Sequence, residues 1–561
     1  MQGVTVEMTL SFETRKQTIE TLTTEKMDLL IIGGGITGAG LALQAGAQNL
    51  KTGLIDMQDF AAGTSSRSTK LVHGGLRYLK QFEVELVADI TKERAVVSSN
   101  APHIVKPEWM LLPVYDEPGA SFTDFSADVA LDLYDRLADV DPKWHHSLIS
   151  REEVLDNIPT LKEDGLLKGG LYLDYFNDDA RLTIEIMKKA ADLGTLLANY
   201  VKATGFLYDE ADQITGVTVE DVLTGEQYEI KADVVVNATG PWSDTIRGKQ
   251  KSDDPERMYP TKGVHFVVDA ADLPVKYTVY TDTGLEDERM IFIIPRGDKT
   301  YFGTTDTPYD GDLTEPPITQ EDIDYLLEAV NTRFPEAHLT VDNIESGWSG
   351  LRPLLLEKGA TDPSSISRTH DVFVSEAGLV TIAGGKLTDY RLMAQDTFDK
   401  ILMEFEQKTG SKHEKVETRD IALSGGELPA GTNFDVFVED MIAKGSKVGL
   451  TEKQARQLAQ WYGSNVETVF GLKEQADEMD LPLDIGLSLA YALTYEMVIN
   501  PVDFFLRRTD ILLFNTEKIA EWKQPVIDYM ATHFKWTNQE LEKWTKQLND
   551  AITQTQLKKF R

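Results

Sequence analysis

The 561-residue chain contains no cysteine. That excludes disulfides, thiolate nucleophiles, iron–sulfur clusters and cysteine-ligated metals. Histidine is scarce at nine residues, none spaced as H-E-x-x-H or a comparable ligand set, so no metal site is expected. Basic residues are also short: 56 Lys and Arg against 92 Asp and Glu leave a formal net charge of −36. Such a field repels nucleic acid, which is excluded as a partner, and disfavours broad adhesion to anionic lipid. The terminal stretch LKKFR (Leu557 to Arg561) is a small basic candidate for membrane contact, but it reads better as a solvated tail. The first 26 residues lack an apolar signal-peptide core, so a cytoplasmic protein is expected. There is no low-complexity linker, internal repeat or second G-x-G-x-x-G. Apolar and charged fractions of 41% and 26% are those of an ordinary globular protein, long enough for two or three domains.

What is present is concentrated in residues 28–56. The apolar run Leu29 to Ile32 reads as a buried parallel strand. It breaks at Gly33, and Gly33, Gly35 and Gly38 supply G-x-G-x-x-G. Ala39 to Ala47 carry helix-forming residues, and a second strand, Thr52 to Ile55, ends on Asp56. In a dinucleotide site the first glycine permits the tight turn and the second lets backbone approach the pyrophosphate. The third lets helix and strand pack closely, and the acid accepts from ribose hydroxyls. The helix N-terminus offers N–H groups and a positive dipole end to phosphate. The 19-residue apolar run Leu29 to Ala47 is long enough to span a membrane, but six glycines and its split into strand, turn and helix argue against that. The flavin disulfide reductases share the fingerprint but need a cysteine pair. One dinucleotide site, with later segments returning to it, is the layout of a flavin enzyme rather than a two-nucleotide reductase.

Elsewhere the pattern predicts a polar helix over 1–26, a helix from Glu83 to Val97, and a helix around Phe125 to Leu137 among proline-marked loops. A hairpin at 214–230 leads into a buried strand, Val234 to Asn237. A β-rich region spans about 258–305, with strands Arg289 to Pro295 and Thr300 to Gly303 joined at Gly297-Asp298. Helix covers 318–334, and a second hairpin, 371–383, runs into Gly384-Gly385-Lys386. Strands stop near 412. Thr451 reads as a helix N-cap and Asn500-Pro501 as a helix start. The expected fold class is α/β (α+β): a Rossmann-like dinucleotide domain, a β-rich cap and an all-helical C-terminal domain.

The run from Gly63 to Tyr78 packs hydroxyls, three cations and three glycines into 16 residues, as a ligand-lining loop would. With it, a series of motifs resembles the FAD-dependent glycerol-3-phosphate dehydrogenases. In order, they are GGGITGAG, GTSSRSTKLVHGGLRYL, NATGPW, KGVHFVV, GTTDT, SGLRPL, SISR and GGKLTDYR, covering roughly residues 27–400. YGSN at 462–465 and RRT at 507–509 are similar too. The bacterial α-glycerophosphate oxidases are close relatives with a different electron acceptor. They carry a long insert after LRPL, whereas here Leu354 reaches Ser367 in about a dozen residues, which favours the dehydrogenase.

The resemblance implies noncovalent FAD, glycerol 3-phosphate as substrate, and quinone or O2 as acceptor. A homodimer and peripheral contact with the inner face of the plasma membrane stay open. It implies a discontinuous FAD domain over 27–405, a substrate cap near 256–345 and a helical domain over 412–561. Substrate-binding positions match at Arg77, Tyr78, Arg368 and Lys386, suited to a phosphate dianion because guanidinium grips phosphate bidentately. His265 matches the proposed base, for which an imidazole titrating near neutrality is suited; read alone, it is a core histidine ending a strand. Arg352 would polarise the substrate oxygen. Cofactor positions match at Gly33, Gly35, Gly38, Asp56, Thr64, Ser65, Ser68, Leu71, His73, Gly74, Thr239, Gly240, Gly385 and Lys386, with His73 structural and Asp56 standing where glutamate is common. Rival readings are an amine or amino-acid oxidase on the same fold, and a non-catalytic FAD-binding scaffold.

Overall fold

The structure, a computed structural model, describes residues 10–76, 84–251, 257–287, 289–356, 366–367 and 369–560. Its first sheet has eight strands. At its centre, Met27–Ile32 lies parallel to Thr52–Ile55 on one side and to the last residues of Gln227–Asn237 on the other. Leu196–Ala198 and Leu379–Ala383 extend the parallel set. Leu29, Leu30, Ile31, Val234, Val235 and Val236 have no exposed surface, which is why these strands read as unbroken apolar runs: helices and a second layer cover both faces. Gln227–Asn237 serves two layers, because its first five residues pair antiparallel with Ile214–Asp221.

Register decides where a ligand can sit. Ile32 aligns with Ile55 and Asn237, Ile55 with Ala198, and Asn237 with Thr381. The parallel strands therefore end together, and the turns leaving them share one edge. In open α/β sheets that edge is where ligands bind. The segment Leu29 to Ala47 is divided between strand Met27–Ile32 and helix Ile36–Ala47. Among the described residues no helix is long and apolar enough to cross a membrane.

The second sheet has eleven strands and is wider than the 256–345 segment expected for the cap. Met258–Asp269 pairs with Ile344–Leu356 on one side and Lys299–Gly303 on the other. Strand Lys106–Tyr115, from a stretch expected to mix helix and loops, and strand Leu166–Phe176 join beyond Thr278–Asp282. Helix Gln320–Arg333 packs its apolar face on this sheet through Ile323, Leu326 and Val330. Beyond helix Tyr390–Thr409 the described elements are helical, starting at Phe434, and Thr451 is a helix N-cap as expected, in a capping box with Gln454.

Two peripheral segments depart from a purely polar reading. Helix Phe12–Thr24 buries Arg15, whose guanidinium makes an ion pair with Asp221 at 2.9 Å. The C-terminal tail is not a solvated tail: Leu557 is buried in the cap core with Phe560 packed beside it, and Lys559 donates to the carbonyl of Ile318. The apolar residues of LKKFR anchor the helical domain to the cap while Lys558 faces water. We expect Leu557→Ala to destabilise the protein by about 2–5 kcal/mol and Lys558→Ala by less than about 0.5 kcal/mol, as measured by denaturant or thermal unfolding.

Candidate active site

Gly33 opens the turn after the first strand with φ +111°, a conformation that side chains rarely adopt. A Cβ at Gly33 would lie 2.5 Å from the carbonyl oxygen of Ala238, and one at Gly38 only 1.8 Å from that of Gly33. The fingerprint thus lets three backbone segments meet. The N-cap of helix Ile36–Ala47 is Gly35, which has no side chain to occupy the first-turn amides, leaving a cradle suited to pyrophosphate. Ser65 Oγ takes one of these amides, accepting from Ile36 N at 2.8 Å.

Asp56 follows the second strand. Its two oxygens accept from the backbone N–H groups of Gly34 at 2.6 Å and Gln58 at 2.7 Å, so the acid is locked to the glycine turn. Each oxygen keeps a lone pair for a ribose hydroxyl. Burial pushes Asp56 up to about 7, against the lowering effect of those two N–H donors.

A cavity of about 430 Å³ runs along this edge. Gly33, Gly35, Asp56, Thr64, Ser65, Ser68, Leu71, His73, Thr239, Gly240, Gly385, Lys386 and Arg352 line it. Gly38 and Gly74 stand behind the wall: Gly38 packs on Gly33, and an added Cβ at Gly74 would strike Thr91 and Tyr134. Sequence reasoning missed Gln58, Val201, Lys202, Trp242 and Lys249, which also line it. They come from segments that carry no motif beyond the tryptophan of NATGPW.

His73 packs edge-on against Phe292 at 5.5 Å. Burial and the charges of Lys386 and Arg94 push it down to about 3, so it stays neutral. Gly384 and Gly385 turn at φ +81° and +75°, and the amide of Lys386 donates to Asp389 at 2.9 Å.

His265 lies on cap strand Met258–Asp269, directly opposite Trp348. The rings stack at 4.8 Å with 11° between planes. Its Nε2 is 3.0 Å from Thr69 Oγ1, and Thr69, not His265, lines the cavity. Burial, together with the charges of Arg352 and Lys70, pushes His265 well below its ordinary value. That environment biases the imidazole towards its neutral form. Arg352 pairs with Asp306 at 3.1 Å and donates to Thr305 O at 3.2 Å. Arg77, Tyr78 and Arg368 lie outside the described residues.

This frame matches known proteins. The family model described as FAD dependent oxidoreductase matches residues 28–391. The chain belongs to that family. A second model, the C-terminal domain of alpha-glycerophosphate oxidase, matches residues 416–541. An alpha-glycerophosphate oxidase of Streptococcus pyogenes serotype M3 is 48% identical over 588 aligned residues, covering 95% of this chain and 96% of the relative. An aerobic glycerol-3-phosphate dehydrogenase of Staphylococcus aureus is 46% identical over 551, covering 98% of each. The solved structure of a glycerol-3-phosphate dehydrogenase from Bacillus halodurans, complexed with FAD, superposes with a TM-score of 0.83 at 40% identity. It covers 97% of this chain and 98% of that one.

As a member of the FAD-dependent oxidoreductases, the chain has the residues to hold FAD along its strand-end cavity. Gly38→Ala should abolish FAD retention, read from the flavin absorbance of purified protein, because the new methyl meets backbone rather than a side chain that can move. Asp56 gives a pH signature. An acid whose folded pKa lies above its unfolded value weakens the fold as pH rises between the two, and only its ionised form accepts fully from ribose. FAD affinity should therefore strengthen about tenfold between pH 6 and 8, and Asp56→Asn should bind FAD more weakly without that slope.

Proposed function

We infer that the protein oxidises sn-glycerol 3-phosphate to dihydroxyacetone phosphate with resident FAD and passes the electrons to a quinone. The observation that carries this reading is a single cavity joining a dinucleotide cradle at Gly33 and Asp56 to the cationic residues Arg352 and Lys386 beside the Thr69–His265 pair. The relatives, an alpha-glycerophosphate oxidase and an aerobic glycerol-3-phosphate dehydrogenase, point to the substrate. Several cations around one small cavity suit a phosphate dianion better than the single carboxylate of an amino acid.

FAD, when bound, supplies the hydride acceptor. The chain's own residues do the rest. Arg352, held by Asp306, presents a fixed positive charge where alkoxide character develops on the substrate oxygen. Arg77, Tyr78 and Arg368 complete phosphate binding in this reading, as the sequence motifs imply. In this reading the substrate's hydroxyl proton passes through Thr69 Oγ1, the hydroxyl between ring and cavity, to the free lone pair of His265 Nε2. Trp348, stacked on the ring and fixed by donating to Ser68 O at 3.1 Å, holds the imidazole plane.

The acceptor is the finer part of the reading. The match to the streptococcal oxidase runs over 588 positions yet uses only 95% of 561 residues, so roughly fifty positions face a gap in this chain. The match to the staphylococcal dehydrogenase runs over 551 positions and uses 98%, leaving almost no gap. That supports the dehydrogenase side, as does the short interval between Leu354 and Ser367. Quinones dissolve in lipid, so this reading implies peripheral contact with a membrane.

Mixed anaerobically with glycerol 3-phosphate, the flavin should bleach and then recover quickly with a soluble quinone but slowly in air. Fast recovery in air with peroxide formed would assign oxygen instead, and no bleaching would overturn the substrate. His265→Gln should slow bleaching by about 10²–10⁴-fold. Thr69→Val should slow it comparably at little change in substrate affinity, and Thr69→Ser should retain most of the rate.

A further inference from the structure

The helical domain reaches into the dinucleotide unit at one buried point. Arg507 and Arg508 sit on the π-helical turn Asp503–Arg508, a rare geometry that is frequent at functional sites. Both side chains leave their own domain. Arg508 gives Nη1 and Nη2 to the two oxygens of Asp59 at 2.8 and 3.0 Å, and Arg507 Nε donates to Asp59 at 2.6 Å. Asn199 adds a fourth donor at 3.1 Å. Asp59 and Arg508 are fully buried. Arg507 is held in turn by Asp503, which accepts from Tyr200 OH at 2.7 Å and from Asn500.

Asp59 belongs to the segment that carries Asp56, Gln58, Gly63, Thr64 and Ser65, all on the cavity wall. The same segment passes beneath the glycine turn: Ala61 N donates to Gly34 O at 2.9 Å, and Phe60 fills the space against Gly34. A carboxylate with no exposed surface needs its partners, and removing them leaves a buried unpaired charge that the segment could relieve only by moving.

We propose that Arg507 and Arg508 of the C-terminal domain are positioning residues for the FAD site, so that docking of the helical domain and occupancy by FAD are coupled. This rests on FAD being the resident cofactor. Burial alone would raise Asp59, and the Arg508 and Arg507 charges outweigh it, consistent with an ionised knot. Arg507 also acts electrostatically on Asp56, linking the helical domain to the ribose acid.

The test uses the full chain with FAD removed and titrated back, followed by flavin fluorescence. Arg508→Gln and Asp59→Asn should each weaken FAD binding at least tenfold. The double variant should be weakened far less than the product of the two, because both remove one interaction. Arg508→Lys, which keeps charge but loses the two-pronged geometry, should fall between. By reciprocity, FAD should slow amide exchange at residues 500–510 of the unmodified protein, a readout that needs no variant to fold. Unchanged FAD affinity with equal thermal losses in both forms, or no FAD effect on exchange at 500–510, would overturn the proposal. Failure of the unmodified protein to bind FAD would instead overturn the cofactor reading.

Discussion

The strand-end edge exists because three backbone segments approach one another more closely than side chains allow. At Gly38 the clearance to the Gly33 carbonyl is smaller than any Cβ tolerates, and Gly33 itself presses on Ala238. From that contact follow the entry of helix Ile36–Ala47, the alignment of the turns after Ile32, Ile55 and Asn237, and the binding of Asp56 to the Gly34 amide. No stabilising contact elsewhere could compensate for a side chain placed there, because the obstacle is backbone on both sides. The cap and the helical domain are fitted around this edge.

How they are fitted is an electrostatic matter. The chain carries a large negative excess, yet it buries arginines at the boundaries between its parts: Arg15 with Asp221, Arg391 with Glu93, and Arg508 with Asp59. Such pairs add little net stability relative to a well-packed apolar core, but they punish misplacement of either partner. At Asp59 the consequence is functional, because the acid sits three residues from the one expected to meet ribose. Apolar contacts complete the fit. Leu557, just beyond helix Asn538–Thr555, reaches into the cap core, so the helical domain touches both layers that enclose the cavity.

The sequence was legible where the constraint is local. Parallel strands buried on both faces leave apolar runs, glycine turns leave glycines, and hairpins leave their turn residues, so the dinucleotide unit and both hairpins could be located. The cap strands Lys106–Tyr115 and Leu166–Phe176 could not, since Pro107 and Pro113 interrupt the first and its partner lies some sixty residues away. Distance in sequence also hid the relations inside the site. His265 could be singled out by its motif, but its stacking on Trp348 and its hydroxyl partner Thr69 are properties of strand pairing across the cap. The Asp59 knot joins residues nearly 450 apart, and neither end stands out beyond the RRT motif.

Calorimetric titration of FAD-free protein with FAD and with FMN probes the strand-end edge directly. FMN has the flavin but lacks the adenosine ribose and the pyrophosphate that Gly33, Gly35 and Asp56 are arranged to hold. One FAD should bind per chain, and FMN should bind more weakly by several orders of magnitude. Equal affinity for the two would mean that the strand-end edge is not a dinucleotide cradle, and the assignment built on it would fall.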